Sequence, residues 1–168
     1  RVLESDPRFN AGVGSAIQSD GVARTDAGLM TDDRAAGAAC SMPGVEHAVD
    51  VARAVKEETP HVLVAGVHAV DLAEAVGVET GVDLRTGETR ARWAEEDPPD
   101  SFDTEEHLAF VNGRFGRGGD GGSDEGGGAE HRPDHDTVGV VARDGDRIAA
   151  ATSTGGRWCA LARRVGDV

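Results

Sequence analysis

An α+β layered domain is the fold class that this sequence predicts, on three observations. Short runs of small and β-branched residues, separated by turn signals, occupy the chain up to residue 41. Two helix-spaced apolar stretches follow, and two further strand-like runs come after a long glycine-rich, charged segment. Strands, helices, linker and strands again is the order of an α+β domain rather than of repeated βαβ units. With 168 residues the chain is long enough for one domain with a real core. Aromatics make up only 4% and tyrosine is absent, so that core must rest on Val, Ala, Leu and Ile.

The first segment, Leu3-Glu4-Ser5-Asp6-Pro7-Arg8-Phe9-Asn10-Ala11-Gly12-Val13-Gly14, reads as a turn-rich loop. Short strands are expected at 14–18, 22–30 and 35–41, with turns at Asp20-Gly21 and Asp32-Asp33. Val45, Ala48, Val49, Ala52 and Val55 then recur at the spacing of an amphipathic helix, 45–58, which Pro60 closes. His61-Val62-Leu63-Val64-Ala65-Gly66 predicts a buried strand and 68–76 a second helix. The stretch 80–100 is weakly patterned. Asp103 followed by Glu106 predicts a capped helix through about Val111. Residues 113–136 lose all periodicity, interleave glycine with Asp, Glu and Ser, and read as a flexible linker. The strands 138–143 and 147–152 follow, joined by an Asp144-Gly145-Asp146 hairpin. The expected organisation is a core over 1–112, a linker over 113–136, and a second unit beginning at 137.

Charge narrows the function classes. There are 31 acidic against 17 basic residues, a formal charge of −14, and the only lysine is Lys56. That balance argues against nucleic acid or an anionic membrane as partner, and no apolar run approaches the length of a membrane span. An acidic, lysine-poor surface predicts a halophilic protein, since salt screens its self-repulsion. It should melt at a higher temperature in molar KCl than in dilute buffer; an equal or lower melting temperature overturns that expectation. Cys40 and Cys159 make neither a disulfide framework nor a metal knuckle, which points to a reducing, cytoplasmic setting.

Thr137 opens the apolar run Thr137-Val138-Gly139-Val140-Val141-Ala142 directly after the linker. Cleavage of the Asp136–Thr137 bond would give it a free α-amine beside its hydroxyl, a nucleophile and base on one residue. On position alone an ordinary β-branched strand start fits equally well. Three other patterns carry little. Gly12-Val13-Gly14 lacks the third glycine and the strand–helix context of a phosphate loop. His47, His61, His68, His107, His131 and His135 form no paired metal spacing, and the acidic groups of 120–136 suit a solvated linker.

Four blocks in order change the balance: Phe9-Asn10-Ala11-Gly12-Val13-Gly14, His135-Asp136-Thr137-Val138-Gly139, Thr152-Ser153-Thr154-Gly155-Gly156 and Arg164-Val165-Gly166-Asp167. Together they resemble the plant-type asparaginase and isoaspartyl peptidase family of N-terminal-nucleophile hydrolases, over nearly the whole chain and least through 78–136. The resemblance implies a four-layer αββα sandwich and a precursor that cuts itself before a nucleophilic threonine, here Thr137. It also implies that Thr154 and Asn10 flank the nucleophile. Arg164 and Asp167 would hold the substrate's α-carboxylate and α-amino groups, for which a guanidinium fork and a carboxylate are apt. A structural sodium would sit on the main-chain carbonyls of Leu3, Glu4, Asp6, Phe9, Ala11 and Val13, and no organic cofactor is implied.

The implied substrates are L-asparagine or isoaspartyl dipeptides, and the implied assembly is a dimer of cleaved αβ units. The alternatives are glycosylasparaginase and an inactive homologue. Gly155-Gly156 after Thr154, where glycosylasparaginases carry Asn-Gly, points to the plant type. The family extends further at both ends than this chain does. Downstream lies a Gly-Thr-Gly segment that supplies oxyanion-hole donors, each worth a factor of about 10²–10³ in rate. The chain by itself is therefore expected to be a fragment that does not form an active enzyme.

Overall fold

A computed structural model describes residues 1–101, 103–115, 136–162 and 164. Residues 1–23 form a folded loop. The strand expected at 14–18 is reduced to a single bridge between Ile17 and Ala23. Its backbone groups are taken elsewhere: Cys159 N–H donates to Ile17 O at 2.9 Å, and Ser19 N–H to Ala160 O at 2.9 Å. This pairing draws the first loop onto residues 155–160.

Strands β1 (Arg24–Thr31) and β2 (Ala36–Pro43) form an antiparallel pair, with a register shift between Thr25 and Ala27. Helix α1 (Ala48–Glu58) starts three residues later than expected and buries Ala48, Ala52 and Val55 of the predicted stripe together with Val51 and Ala54, while Val49 is only partly buried. Each fully buried valine there is worth roughly 1.5–3 kcal/mol relative to exposure. Small side chains let the helix lie close to the sheet: a Cβ on Gly37 would stand 2.3 Å from Ala52 O and 2.6 Å from Lys56 N. Any side chain at Gly37 would have to lift α1 off β2. Strand β3 (Leu63–Ala65) runs parallel to β2, and α2 (Val67–Ala75) returns over the same face.

Helix α3 (Gly87–Glu95) lies within a stretch that periodicity left unassigned. Its only apolar residues are Ala91, Trp93 and Ala94, too few to form a stripe. Its start is a reciprocal capping box built from Thr86 and Thr89 rather than from Thr and Glu. Helix α4 (Thr104–Phe115) runs four residues beyond the expected end, so 113–115 are helical rather than linker. Two contacts hold that last turn: Arg114 pairs with Glu96, and the Arg157 guanidinium lies 3.9 Å from the Phe115 ring centroid. At the other end Asp103 Oδ1 accepts Glu105 N–H at 2.7 Å. Glu106 takes the Ser101 hydroxyl at 2.5 Å instead of closing the expected box. Of the expected linker, 116–135 lie outside the described residues.

Strands β4 (Val138–Asp144) and β5 (Arg147–Thr154) form the predicted hairpin. The sheet order is β3-β2-β1-β5-β4, so β5 is inserted between β1 and its own hairpin partner. Segments from both sides of the 113–136 stretch thus share one sheet. The main core, Ala27, Ala39, Met42, Val45, Ala48, Val51, Ala52, Ala69 and Ala73, lies between that sheet and α1 and α2. A second cluster of Ala16, Ile17, Ala23, Leu84 and Trp158 closes the first loop against 82–93. The fold is therefore mixed α+β, with helices packed on one sheet face. On the other face register aligns Leu63, Ala38, Gly28, Thr152 and Gly139 in one row, and Met30, Ala150 and Val141 in the next. Met30, Leu63 and Val141 are exposed there. Among the described residues no helix is long and apolar enough to cross a membrane.

Candidate active site

Strand β5, between β1 and β4, ends at Thr154, which pairs with Asp26 of β1 on one side. On the other side the register Val138 to Ser153, continued by one residue, sets Thr137 opposite Thr154. The sheet thereby gathers residues from three distant parts of the sequence at one strand end, on the face away from α1. Beyond it the first loop meets the 155–160 turn, where Gly155 N–H donates to Asn10 O at 2.7 Å.

The carbonyl oxygen of Asp136 is where these groups converge. It accepts the Thr154 hydroxyl at 3.0 Å and the Asn10 Nδ2 amide at 3.2 Å. Asn10 is itself fixed on both sides, since Nδ2 also donates to Gly156 O at 2.5 Å and Oδ1 accepts Ala16 N–H at 2.7 Å. The Thr154 hydroxyl in turn accepts Gly156 N–H at 3.0 Å. Thr137 N–H donates to Asp136 Oδ1 at 2.8 Å, and both residues are exposed. Two donors aimed at one carbonyl oxygen are the arrangement that stabilises negative charge developing on it. A cleft of about 350 Å³ opens beside this carbonyl, lined by Phe9, Asn10, Thr89, Arg92, Asp136 and Trp158 among others.

Arg164 reaches the same strand end. Its side chain is 9% exposed, and Nη1 lies 3.8 Å from Asp26 Oδ2. Asp26 also accepts Ser41 N–H at 2.6 Å, which ties this carboxylate to β2. The guanidinium lies directly on Gly156, where a Cβ would stand 1.3 Å from Nη2 and where φ is +81°. Glycine at 156 is thus required both by backbone conformation and by the arginine above it. Asp167, Val165 and Gly166 lie outside the described residues, as do His131 and His135.

The first loop folds around Gly12 and Gly14. Glu4 O accepts Val13 N–H at 2.8 Å and Asp6 O accepts Phe9 N–H at 3.1 Å. The carbonyls of Pro7 and Phe9 turn inward, 2.6 and 3.1 Å from where a Cβ on Gly14 would stand. Two of the six carbonyls expected to hold sodium, those of Glu4 and Asp6, thus already accept main-chain N–H groups. Arg8 hydrogen-bonds the Asp6 side chain and holds its carboxyl down to about 2. With the folded-state value depressed, that clip is present above the ordinary carboxylate range and is lost only as pH falls through about 2. Among the described residues, no His/Cys/Asp/Glu cluster suits a metal ion. His107 is buried against Ser101 O at 2.7 Å, and both cysteines are buried and form no disulfide. The Cys40 thiol is pushed up by burial and by the Asp26 charge, the opposite of an activated nucleophile.

Residue patterns identified Asn10, Thr154 and Asp136, and these do come together. They missed Asp26 and the side chain of Glu4, which is 1% exposed. No local motif marks either residue; the register of β1 with β5 is the signal that exposes Asp26.

Comparison with known proteins places the chain in context. A family model described as Asparaginase matches residues 1–168. The plant-type L-asparaginase of Pyrococcus furiosus is 37% identical over 172 residues, covering 99% of this chain and 51% of that protein. That of Pyrococcus abyssi is 36% identical over 170 residues, with 99% and 51% covered. The isoaspartyl peptidase of Salmonella typhimurium is 36% identical over 169 residues, covering 99% of this chain and 49% of that protein. The chain spans about half the length of the curated relatives it matches.

Proposed function

The chain belongs to the family of plant-type asparaginases and isoaspartyl peptidases, and we propose that it is part of an enzyme that cuts its own Asp136–Thr137 bond and then hydrolyses β-aspartyl amides. The observation that carries this reading is the pair of donors, Asn10 Nδ2 and Thr154 Oγ1, on the carbonyl of that bond.

The Thr137 hydroxyl adds to the Asp136 carbonyl carbon, and the two donors hold the oxygen as it gains charge. The C–N bond then breaks, the Thr137 nitrogen takes the hydroxyl proton, and an ester links the two chains. Water hydrolyses that ester, leaving a carboxyl on Asp136 and a free hydroxyl and α-amine on Thr137. An α-amine has an ordinary pKa of about 7.7–8.0, suited to a base near neutral pH, whereas the amide it replaces has no basicity. The same hydroxyl then attacks the side-chain carbonyl of L-asparagine or of an isoaspartyl dipeptide. The amine product leaves with the shuttled proton, and water releases aspartate. Arg164 holds the α-carboxylate and Asp167 the α-ammonium.

The open apolar sheet face, with Met30, Leu63 and Val141 exposed, supports a second sheet in the whole protein and hence the four-layer αββα sandwich. A sodium ion on the carbonyls of Leu3, Glu4, Asp6, Phe9, Ala11 and Val13 would brace the loop that carries Asn10. The linker, taken to begin after α4, would leave the site after cleavage, and the assembly is a dimer of cleaved αβ units in the cytoplasm of a halophile. Glycosylasparaginase is disfavoured by Gly155-Gly156 and by the asparaginase and isoaspartyl peptidase names of the relatives.

Intact-mass analysis of the purified full-length protein in high salt tests this reading. Two fragments meeting at Asp136–Thr137, with ammonia release from asparagine or amino-acid release from a β-aspartyl dipeptide, are expected. A single uncut chain after long incubation overturns it and leaves the inactive homologue.

A further inference from the structure

The two donors on the Asp136 carbonyl belong to separate segments: Asn10 to the first loop and Thr154 to β5. Their joint aim requires that loop and strand be fixed relative to each other. We propose that Glu4 is the positioning residue that fixes them, with Ser153 as its partner on β5. The proposal rests on the autoprocessing reading above and names a device that this reading does not use.

Glu4 is a buried carboxylate on the helix-covered side of the sheet. Its Oε1 accepts the Ser153 hydroxyl at 2.7 Å and the Val49 N–H, in the first turn of α1, at 3.0 Å. Oε2 faces His47 Nδ1 at 3.7 Å and the Arg1 main-chain nitrogen at 3.1 Å. Ser5 reinforces the junction by donating its hydroxyl to the Glu46 carboxylate. Helix α1 has no side-chain cap of its own at His47. The Glu4 carboxylate takes that place and meets the positive end of the helix dipole. One oxygen therefore joins the first loop, α1 and β5.

Alternation along β5 makes this junction consequential. Ser153 points to Glu4 while the next residue, Thr154, points to the opposite face and to the Asp136 carbonyl. On the loop side, Glu4 O accepts Val13 N–H and so closes the turn that contains Asn10. Glu4 is thus tied to both donor segments, to one through its side chain and to the other through its backbone. Hydrogen bonds of 3.0 and 3.2 Å tolerate little displacement before the donors lose their aim. A buried carboxylate holds such a junction firmly, because it is stable in the interior only while its hydrogen bonds persist.

The test follows self-cleavage of newly made full-length precursor by intact mass over time. Ser153→Ala removes one hydroxyl, and Glu4→Gln keeps the side-chain shape without the charge. Each should slow cleavage about tenfold or more, the scale of one lost charge-assisted hydrogen bond. Ser153→Thr, which keeps the hydroxyl, should cleave at close to the wild-type rate. The double variant Glu4→Gln/Ser153→Ala should be slowed by less than the product of the two single effects, because both changes act on the Glu4–Ser153 bond. Val55→Ala serves as the packing control: it weakens α1 without touching Glu4, and should leave the rate of the folded precursor unchanged. Wild-type cleavage rates for Ser153→Ala and Glu4→Gln overturn the proposal. So do equal slowing by Val55→Ala and a Ser153→Thr variant as slow as Ser153→Ala. A wild-type precursor that never cuts overturns autoprocessing itself, and the role of Glu4 with it.

Discussion

Thr137→Ala leaves the full-length chain uncut and its hydrolysis of β-aspartyl amides at background. The substitution removes one hydroxyl and one methyl from an exposed residue just before edge strand β4. Its stability cost is expected to stay within about 0.5 kcal/mol, as at most exposed positions. The chemical cost is of a different order, since loss of the nucleophile from such a constellation costs roughly 10⁴-fold or more. Both reactions vanish together, because one hydroxyl attacks the Asp136 carbonyl in the first and the substrate carbonyl in the second. Thr137→Ser retains the hydroxyl and should still cut. Intact mass, ammonia release and a melting curve on the same samples separate lost chemistry from lost fold. Residual cleavage, or surviving hydrolysis, in a folded Thr137→Ala protein removes Thr137 as nucleophile.

Much of the fold is legible in the sequence. The apolar spacing of 45–58 specifies α1, because burial on one side imposes a period that side chains display, and the Asp144-Gly145-Asp146 turn between two strand-like runs specifies the β4–β5 hairpin. Helix α3 was not legible: Thr86 and Thr89 cap it, Trp93 anchors it to Gln18 O at 3.0 Å, and neither device produces periodicity. The strand assigned to 14–18 failed for the converse reason. Its residues look strand-like, but their backbone groups go to scattered partners, among them Leu84 O, Gly12 O, Val22 O, Asn10 Oδ1 and Cys159 N–H, and form isolated contacts rather than a ladder.

The site divides in the same way. Asn10, Asp136 and Thr154 stand in short local patterns and could be nominated from them. Asp26 faces Thr154 only because β5 inserts beside β1, across more than a hundred residues of chain. Glu4 was nominated for its carbonyl alone. Nothing in a turn-rich loop signals that its side chain will cap a helix and hold a serine on a distant strand. Backbone-mediated and pairing-dependent roles leave no residue-type signature, whereas hydroxyl and amide groups beside a scissile bond do.

Asn10→Asp isolates the amide donor, with an effect second only to that of Thr137→Ala. The change is nearly isosteric and keeps Oδ1 as acceptor for Ala16 N–H. It replaces Nδ2, which faces the Asp136 and Gly156 carbonyl oxygens at 3.2 and 2.5 Å, with a carboxylate oxygen. One oxyanion donor lost costs about 10²–10³-fold in rate. An ionised carboxylate beside the developing oxyanion adds like-charge repulsion, so the variant should cut at least that much more slowly than wild type. The sign of its pH dependence follows. Protonation turns the new oxygen into an O–H donor and removes the repulsion. Burial and two facing carbonyls also raise its pKa relative to an exposed aspartate. Cleavage by Asn10→Asp should therefore recover as pH falls through that raised value, while wild type, whose amide does not titrate, shows no such gain. Asn10→Ala, with no titratable group, should be slow at every pH and lose some stability through Ala16 N–H. A pH-independent deficit in Asn10→Asp, or a wild-type rate at neutral pH, would remove the Asn10 amide from the Asp136 carbonyl and leave Thr154 as its only donor among the described residues.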